Sequence, residues 1–311
     1  MTRRTARWRR AGRWIFSAFL VIVIVLLVRA ARSVDWHGVG DAIAGYGVPT
    51  LSVAVALAML SYLIYGGYDL TARRYSGHHL STRRVMVIAF ISYAFGLNLG
   101  ALIGGAGFRF RLYTHSGLGA ATISRIVAFS VVTNWFGYVV LAGLLFASGL
   151  VVPPHGWPIG PGTLRVLGGT MLAATAAYLV ACARWHDRLW TVRHHHRLHL
   201  PSLPLALLQL VLASANWLTM AAIVFVLLRQ QVPYPEVLAV LLLGAIATAV
   251  IHVPAGLGVL EAVFIAMLGR RIPQAELLAA LLCYRAVYYL LPLLLGVVLY
   301  AVFEAKGKKH A

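Results

Sequence analysis

The sequence predicts an all-α integral membrane protein with about six transmembrane helices and two re-entrant helical hairpins in an inverted repeat. Of its 311 residues, 61% are hydrophobic and only 11% are charged, which is far from the composition of a water-soluble domain. The mean hydropathy is +0.83. Apolar runs about as long as the ~20 residues that a spanning helix needs are separated by short basic or Gly/Pro-rich links. We therefore expect one polytopic membrane domain over residues 1–311.

The net charge of +19 arises from 27 Lys and Arg against 8 Asp and Glu. On a soluble protein such an excess would indicate nucleic-acid binding. In a membrane protein, basic residues accumulate in cytoplasmic links, so we expect no nucleic-acid partner. Both cysteines, Cys182 and Cys283, lie inside apolar runs, which excludes a disulfide framework and a cysteine zinc site. We expect no metal and no cofactor.

The first segment carries six arginines in thirteen residues and precedes the apolar run 15–28. No clear small-residue cleavage site follows, so we interpret this run as an uncleaved anchor with a cytoplasmic N-terminus. A second span, 48–68, ends at Asp69. The next link is cytoplasmic by the positive-inside rule because it contains Arg73, Arg74, Arg83 and Arg84.

The first hairpin follows from counting crossings. Residues 85–108 are long enough to cross, yet arginines follow them, and the link after the next span, 126–150, contains no Lys or Arg in residues 151–162. Placing both segments across the membrane would invert the charge bias, so 85–108 is predicted to enter and leave on one side, turning near residues 98–105. A straight helix is the alternative, because glycines at 96, 100 and 104 would let a neighbouring helix approach closely.

The second half repeats this order. Spans are predicted at 164–183, 205–228 and 276–303, with a basic cytoplasmic link at 184–204 and a cytoplasmic C-terminus. Residues 236–268, broken by VPAGLG, form the second predicted hairpin, entered from outside. The inverted halves are then about 14–150 and 164–303. Many transporters combine inverted repeats with broken helices and place the substrate near the midplane.

Few charged residues lie at hydrocarbon depth. The acids are Glu261 and, at the edge of its span, Asp69, and Arg285 falls near the middle of the last span. Buried charges in a membrane usually face a partner or a cavity. Two hypotheses remain open and are compatible: a structural ion pair between Glu261 and Arg285, or a cavity in which they contact a polar substrate.

Further candidates flank the predicted hairpins. Arg109 and Arg111 would splay on a helix but share a face in an extended chain. They suit phosphate binding, or they anchor the cytoplasmic face. Asn98 and His252 either bind a ligand or satisfy the broken backbone. The histidines at 194, 195, 196 and 199 lie in a basic link and are interpreted as facing lipid headgroups rather than a metal.

Three stretches carry a family resemblance: ISYAFGLNLGALIGGAGFRFRLYTHSGL, VIHVPAGLGVLEAVFIAML and CYRAVYYLLPLLLGVV. They resemble the membrane region of the lysylphosphatidylglycerol synthase/flippase family over about residues 48–303. The resemblance implies lipid translocation in the bacterial inner membrane without the aminoacyltransferase domain. The matching positions are Asp69, Asn98, Arg109, Arg111, Tyr113, His252, Pro254, Gly256, Gly258, Glu261, Tyr284, Arg285 and Pro292.

The leading hypothesis is therefore a flippase for a phospholipid or related polar-headgroup lipid, with no catalytic residues. The expected partners are membrane lipids, namely anionic or aminoacylated phospholipid, and a homo-oligomer is left open. One alternative is a membrane-embedded transferase of lipid biosynthesis, for which Asp35 and Asp41 are the acids of an outer loop. Another is an accessory scaffold that recruits a partner through the basic link 184–200.

Overall fold

Helices make up nearly all of the described chain. The computed structural model describes residues 35–150, 160–186, 190–192, 196–198, 200–251 and 256–307. The helices are α1 (Trp36–Ala44), α2 (Val48–Ser76), α3 (Thr82–Leu99), α4 (Phe108–His115), α5 (Ala120–Ser148), α6 (Pro161–Trp185), α7 (Leu203–Leu227), α8 (Tyr234–Ile251), α9 (Val259–Leu268), α10 (Gln274–Arg285) and α11 (Leu291–Gly307). π-Helical segments occupy Ala101–Gly107 and Ala286–Leu290. Two short strands, β1 (Trp190–Val192) and β2 (His196–Leu198), pair antiparallel in the basic link.

Within the described ranges, six helical segments are long and apolar enough to cross a membrane: α2, α5, α6, α7, α8 and the segment Gln274–Ala305. The predicted all-α membrane architecture is thereby confirmed. Five of these segments coincide with predicted spans, whereas α8 is the first arm of the second predicted hairpin. The predicted anchor at 15–28 lies outside the described residues.

The predicted boundary at Asp69 is wrong. Helix α2 continues to Ser76 and ends at Gly77, whose φ of 73° stops the helix in a left-handed conformation. Asp69 is therefore an interior helical residue and is fully buried. The hydropathy pattern ended the span at the charge, but the helix continues, and a buried partner compensates the charge within the protein.

Residues 85–108 do not form one straight helix. Helix α3 ends at Leu99, and Gly100 adopts φ 89° and ψ 158°, which only glycine reaches without strain. The π-helical segment then returns alongside α3, where Gly104 lies so close to the backbone of Phe95 that a Cβ could not be accommodated. The rings of Phe95 and Phe108 stack at 4.0 Å across the two arms. A reversal near residues 98–105 is thus observed, and its entry and exit by one membrane face stay a prediction.

The second broken segment has the same construction. Helix α8 ends at Ile251, and α9 begins after Gly258, which has a φ of 78°. The two arms pack together through Gly244, which contacts Leu260, and through Gly256, which lies against Thr248. His252 and Pro254 lie outside the described residues.

The two halves are joined by close packing of small residues. Gly137 of α5 lies against the backbone of Ala213 in α7, and α2 packs along α7. Gly296 of α11 contacts Ala94 of α3. The order of spanning helix, broken hairpin and spanning helix recurs in each half, as α2 to α5 and as α7 to α11. The inverted relation of the halves stays a prediction.

Candidate functional site

The first hairpin is fastened to α2 by a buried ion pair. The Nη2 of Arg109, on α4, donates to Oδ1 of Asp69 at 2.9 Å, and its Nε donates to Oδ2 at 3.1 Å. Only 5% of the arginine side chain and none of the aspartate side chain is exposed. Tyr113 donates to Oδ2 at 3.0 Å and Ser130 donates to Oδ1 at 2.9 Å. The carboxylate is therefore saturated with donors, which compensates the cost of burying its charge.

The second hairpin is fastened to the last span by an equivalent pair. The Nε of Arg285 donates to Oε1 of Glu261 at 2.5 Å, and Nη2 donates to Oε2 at 3.1 Å. The same Nη2 donates to the carbonyl of Gly256 at 3.0 Å, while Oε2 of Glu261 accepts from the backbone N–H of Gly258 at 2.9 Å. The predicted ion pair is thus present, and it also satisfies backbone groups that the helix break leaves open.

The two pairs exchange the positions of acid and base. In the first, the acid lies on a spanning helix and the arginine on the returning arm of the hairpin. In the second, the acid lies on the returning arm, α9, and the arginine on the last span. Each pair joins a broken hairpin to a spanning segment at a largely buried position.

A cluster of tyrosines lies between the pairs. Tyr93 and Tyr288 share a hydrogen bond of 2.7 Å between their hydroxyls, and Ser61 Oγ lies 2.7 Å from Tyr288 Oη. Ser61 donates onward to Oδ1 of Asn216 at 2.6 Å. These bonds connect α2, α3, α7 and the π-helical segment of the last span. The members of the cluster are Tyr62, Tyr65, Tyr68, Tyr93, Tyr284, Tyr288 and Tyr289.

The tyrosine cluster reaches both ion pairs. The guanidinium of Arg109 lies 5.5 Å from the ring centre of Tyr65, and that of Arg285 lies 5.4 Å from the ring centre of Tyr289. Both distances are within the range of cation–π attraction. Sequence reasoning missed this cluster. Two patterns in the sequence could have indicated it. The tyrosines of α2 recur every three residues, and a second group of tyrosines lies at and just after the end of α10, both inside otherwise apolar runs.

Arg109 and Arg111 do not form the joint phosphate site that an extended chain would allow. Because α4 is helical, the two side chains leave on different faces. Arg111 is 63% exposed, donates to Glu304 at 2.9 Å and lies 5.6 Å from the ring centre of Tyr300. Together with Phe110, Thr114 and His115, this pair lines an open pocket of about 450 Å³.

Asn98 bonds backbone carbonyls of α3 and of the last span rather than groups of the reversal at 100–107. Its Nδ2 donates to the carbonyl of Ala94 at 2.8 Å and to the carbonyl of Tyr289 at 3.2 Å. The second bond links the turn of the first hairpin to the π-helical segment of the last span. His252 lies outside the described residues. Contact of any of these side chains with a substrate stays a prediction.

The predicted wet pocket lined by arginines is not what the described residues form around Arg109 and Arg285. Both guanidiniums are buried and face carboxylates. The arrangement is therefore a closed one, in which all four charges are compensated.

Comparison with known proteins identifies the family of this chain. The lysylphosphatidylglycerol synthase transmembrane region matches residues 14–296, which include both hairpins and both ion pairs. The chain belongs to this family. It is 46% identical over 310 residues to the inner membrane protein YbhN of Escherichia coli, covering 99% of this chain and 97% of that protein. It is 28% identical over 299 residues to the protein slr0712 of Synechocystis, covering 92% and 90% of the two chains.

Proposed function

We propose that this protein is a multi-pass translocator of the bacterial inner membrane that moves a phospholipid with a polar headgroup between leaflets. The family membership and the similarity to an inner membrane protein support a role connected with membrane lipids. The observation that carries the finer proposal is the pair of buried acid–arginine contacts, one at each broken hairpin, with the tyrosine cluster and its hydrogen-bonded hydroxyls between them.

Exchange of partners gives these contacts a transport role. A lipid phosphate offers oxygen atoms equivalent to those of a carboxylate, so it can replace Asp69 or Glu261 at the guanidinium. The displaced carboxylate must then be protonated or paired with another cation. An aminoacylated headgroup adds an ammonium group that can pair with the released carboxylate. Hydroxyls of the tyrosine cluster then replace the hydration of the headgroup between the two pairs, while the acyl chains remain in lipid.

If lipid movement is coupled to protons, the pair of Glu261 and Arg285 is the better candidate for the coupling site. Protonation of Glu261 would weaken its hold on Arg285 and free the guanidinium for phosphate. The Glu261 side chain is 14% exposed, whereas the Asp69 side chain is fully buried. We therefore propose Glu261 as the proton carrier. The sequence contains no Gly-rich phosphate loop, so ATP does not drive the movement in this proposal.

We propose no catalytic step. Of the outer-loop acids that a transferase would use, Asp35 accepts the backbone N–H of Gly38 at 3.1 Å and so caps α1. An aspartate in that position has an ordinary structural role.

Translocation can be measured in vesicles that contain fluorescent phosphatidylglycerol, from the fraction of lipid that a membrane-impermeant quencher reaches. The variant R285Q should lower the rate at least about tenfold, and the paired variant E261Q/R285Q should restore folding but not transport. R111Q is the matched control, because Arg111 is exposed, and it should leave the rate unchanged. Normal transport by folded E261Q/R285Q would refute the exchange of partners, and absence of transport by the unmodified protein would refute the proposed function.

A further inference from the structure

A groove opens sideways on the lipid-facing surface between α2, α3 and the last span. It has a volume of about 280 Å³ and is lined almost entirely by apolar side chains. One wall comes from residues 55–63 of α2, another from residues 86–90 of α3, and the floor from Val287 and the start of α11. Helix α2 and the last span also carry Asp69 and Arg285, but none of the residues that line the groove belongs to either ion pair.

The apolar lining of this groove favours a hydrocarbon ligand. The polar atom of its one tyrosine, Tyr62, is turned away, because its hydroxyl donates to the carbonyl of Tyr288 at 3.2 Å. Apolar cavities of about 150 Å³ stay dry and bind benzene, so a cleft of nearly twice that volume has room for a longer hydrocarbon chain. A helix is about 10–12 Å across with its side chains and could cover the groove but not enter it.

Positive charge at one end of the groove indicates that the headgroup of the ligand is anionic. Arg83 and Arg84 are exposed in the first turn of α3. Val87, which lines the groove, follows them by four and three residues, so all three side chains lie along one side of the helix. Arginine binds phosphate oxygens with two parallel hydrogen bonds. A phosphate group one turn beyond the apolar cleft is therefore within reach of both guanidiniums.

The undescribed N-terminal segment is a poorer occupant. Its predicted anchor follows thirteen residues that carry six arginines, on the same predicted cytoplasmic side as Arg83 and Arg84. Like charges would oppose its docking at this end of the groove, whereas an anionic headgroup complements it.

We propose that the groove holds one acyl chain of an anionic phospholipid whose phosphate contacts Arg83 and Arg84. This inference rests on the proposed function, because it assigns the groove as the site where the lipid binds before it is translocated. Its test measures binding alone, so the two proposals can fail separately.

Photolabelling tests the acyl-chain part. The probe is phosphatidylglycerol with a diazirine on one acyl chain, in phosphatidylcholine vesicles that contain the full chain, with labelled peptides mapped by mass spectrometry. We expect label in residues 55–63, 86–90 and 287–299. L295W should reduce that label at least about fivefold, because Leu295 lines the groove, whereas L294W should not, because Leu294 is exposed outside it.

A second comparison tests the headgroup. The same diazirine on phosphatidylcholine should label the groove at least about threefold less than phosphatidylglycerol. R83Q/R84Q should remove this preference, whereas R184Q, which changes an exposed arginine on α6, should preserve it.

Three results would overturn the inference. They are equal labelling of the groove in L295W, equal labelling by the two lipids, and a cross-link from the groove to residues 15–28 or to a second copy in place of lipid. Labelling of the groove without translocation would instead remove the proposed function and leave this site.

Discussion

Replacing Asp69 with asparagine would leave the guanidinium of Arg109 charged and buried without a carboxylate. Breaking a buried ion pair by removing one partner costs about 3–5 kcal/mol. We expect a loss in this range for D69N, because no part of the Asp69 side chain is exposed. R109Q should cost less, since Tyr113 and Ser130 continue to donate to the remaining carboxylate. The double variant should lose about 2 kcal/mol less than the sum of the single variants.

The measurement is equilibrium unfolding in mixed micelles with increasing sodium dodecyl sulfate, followed by tryptophan fluorescence. R111Q provides the control, because Arg111 and Glu304 pair on an exposed surface and their loss should leave the midpoint unchanged. Additive losses in the double variant, or a midpoint for D69N that matches the unmodified protein, would show that the pair does not hold the first hairpin to α2.

The remaining predictions concern the hairpin and a buried histidine. G104A should destabilise the protein by about 1–3 kcal/mol, because a Cβ there would overlap the α3 backbone, whereas G107A should be tolerated, and equal unfolding midpoints would contradict this packing. His78 has a pKa lowered from 6.5 by burial and then by Arg73. Its neutral form is favoured in the folded state, so stability should fall as pH drops below about 6.5. H78Q should reduce that fall between pH 7 and 5, and an identical pH profile in H78Q would exclude this histidine. Reporter fusions at His79 and Ser116, which flank the first hairpin, should lie on the same side of the membrane, and reporters on opposite sides would exclude a re-entrant first hairpin.

Hydropathy and charge were sufficient to locate most of the architecture. The spans appear as apolar runs, and the break near Gly100 was inferred from the distribution of arginines around 85–108. The contact between Glu261 and Arg285 could be anticipated because few charged residues occur at that depth and each needs a partner.

The partner of Arg109 could not be inferred in the same way. Asp69 lay at the edge of an apolar run, where a charge requires no buried partner, and the continuation of α2 beyond it depends on contacts that only the folded chain provides. The tyrosine cluster escaped notice for a related reason. A tyrosine ring counts as apolar in a hydropathy pattern, whereas its hydroxyl becomes important only when other helices place hydroxyls beside it.

The bond from Asn98 to the carbonyl of Tyr289 makes the two halves mechanically interdependent. It joins the turn of the first hairpin to the segment that directly follows Arg285, the residue that holds the second hairpin. A displacement of the first turn by more than about an ångström would stretch this bond beyond hydrogen-bonding distance or pull the last helix with it. A movement of one hairpin would therefore be transmitted to the other through the last helix.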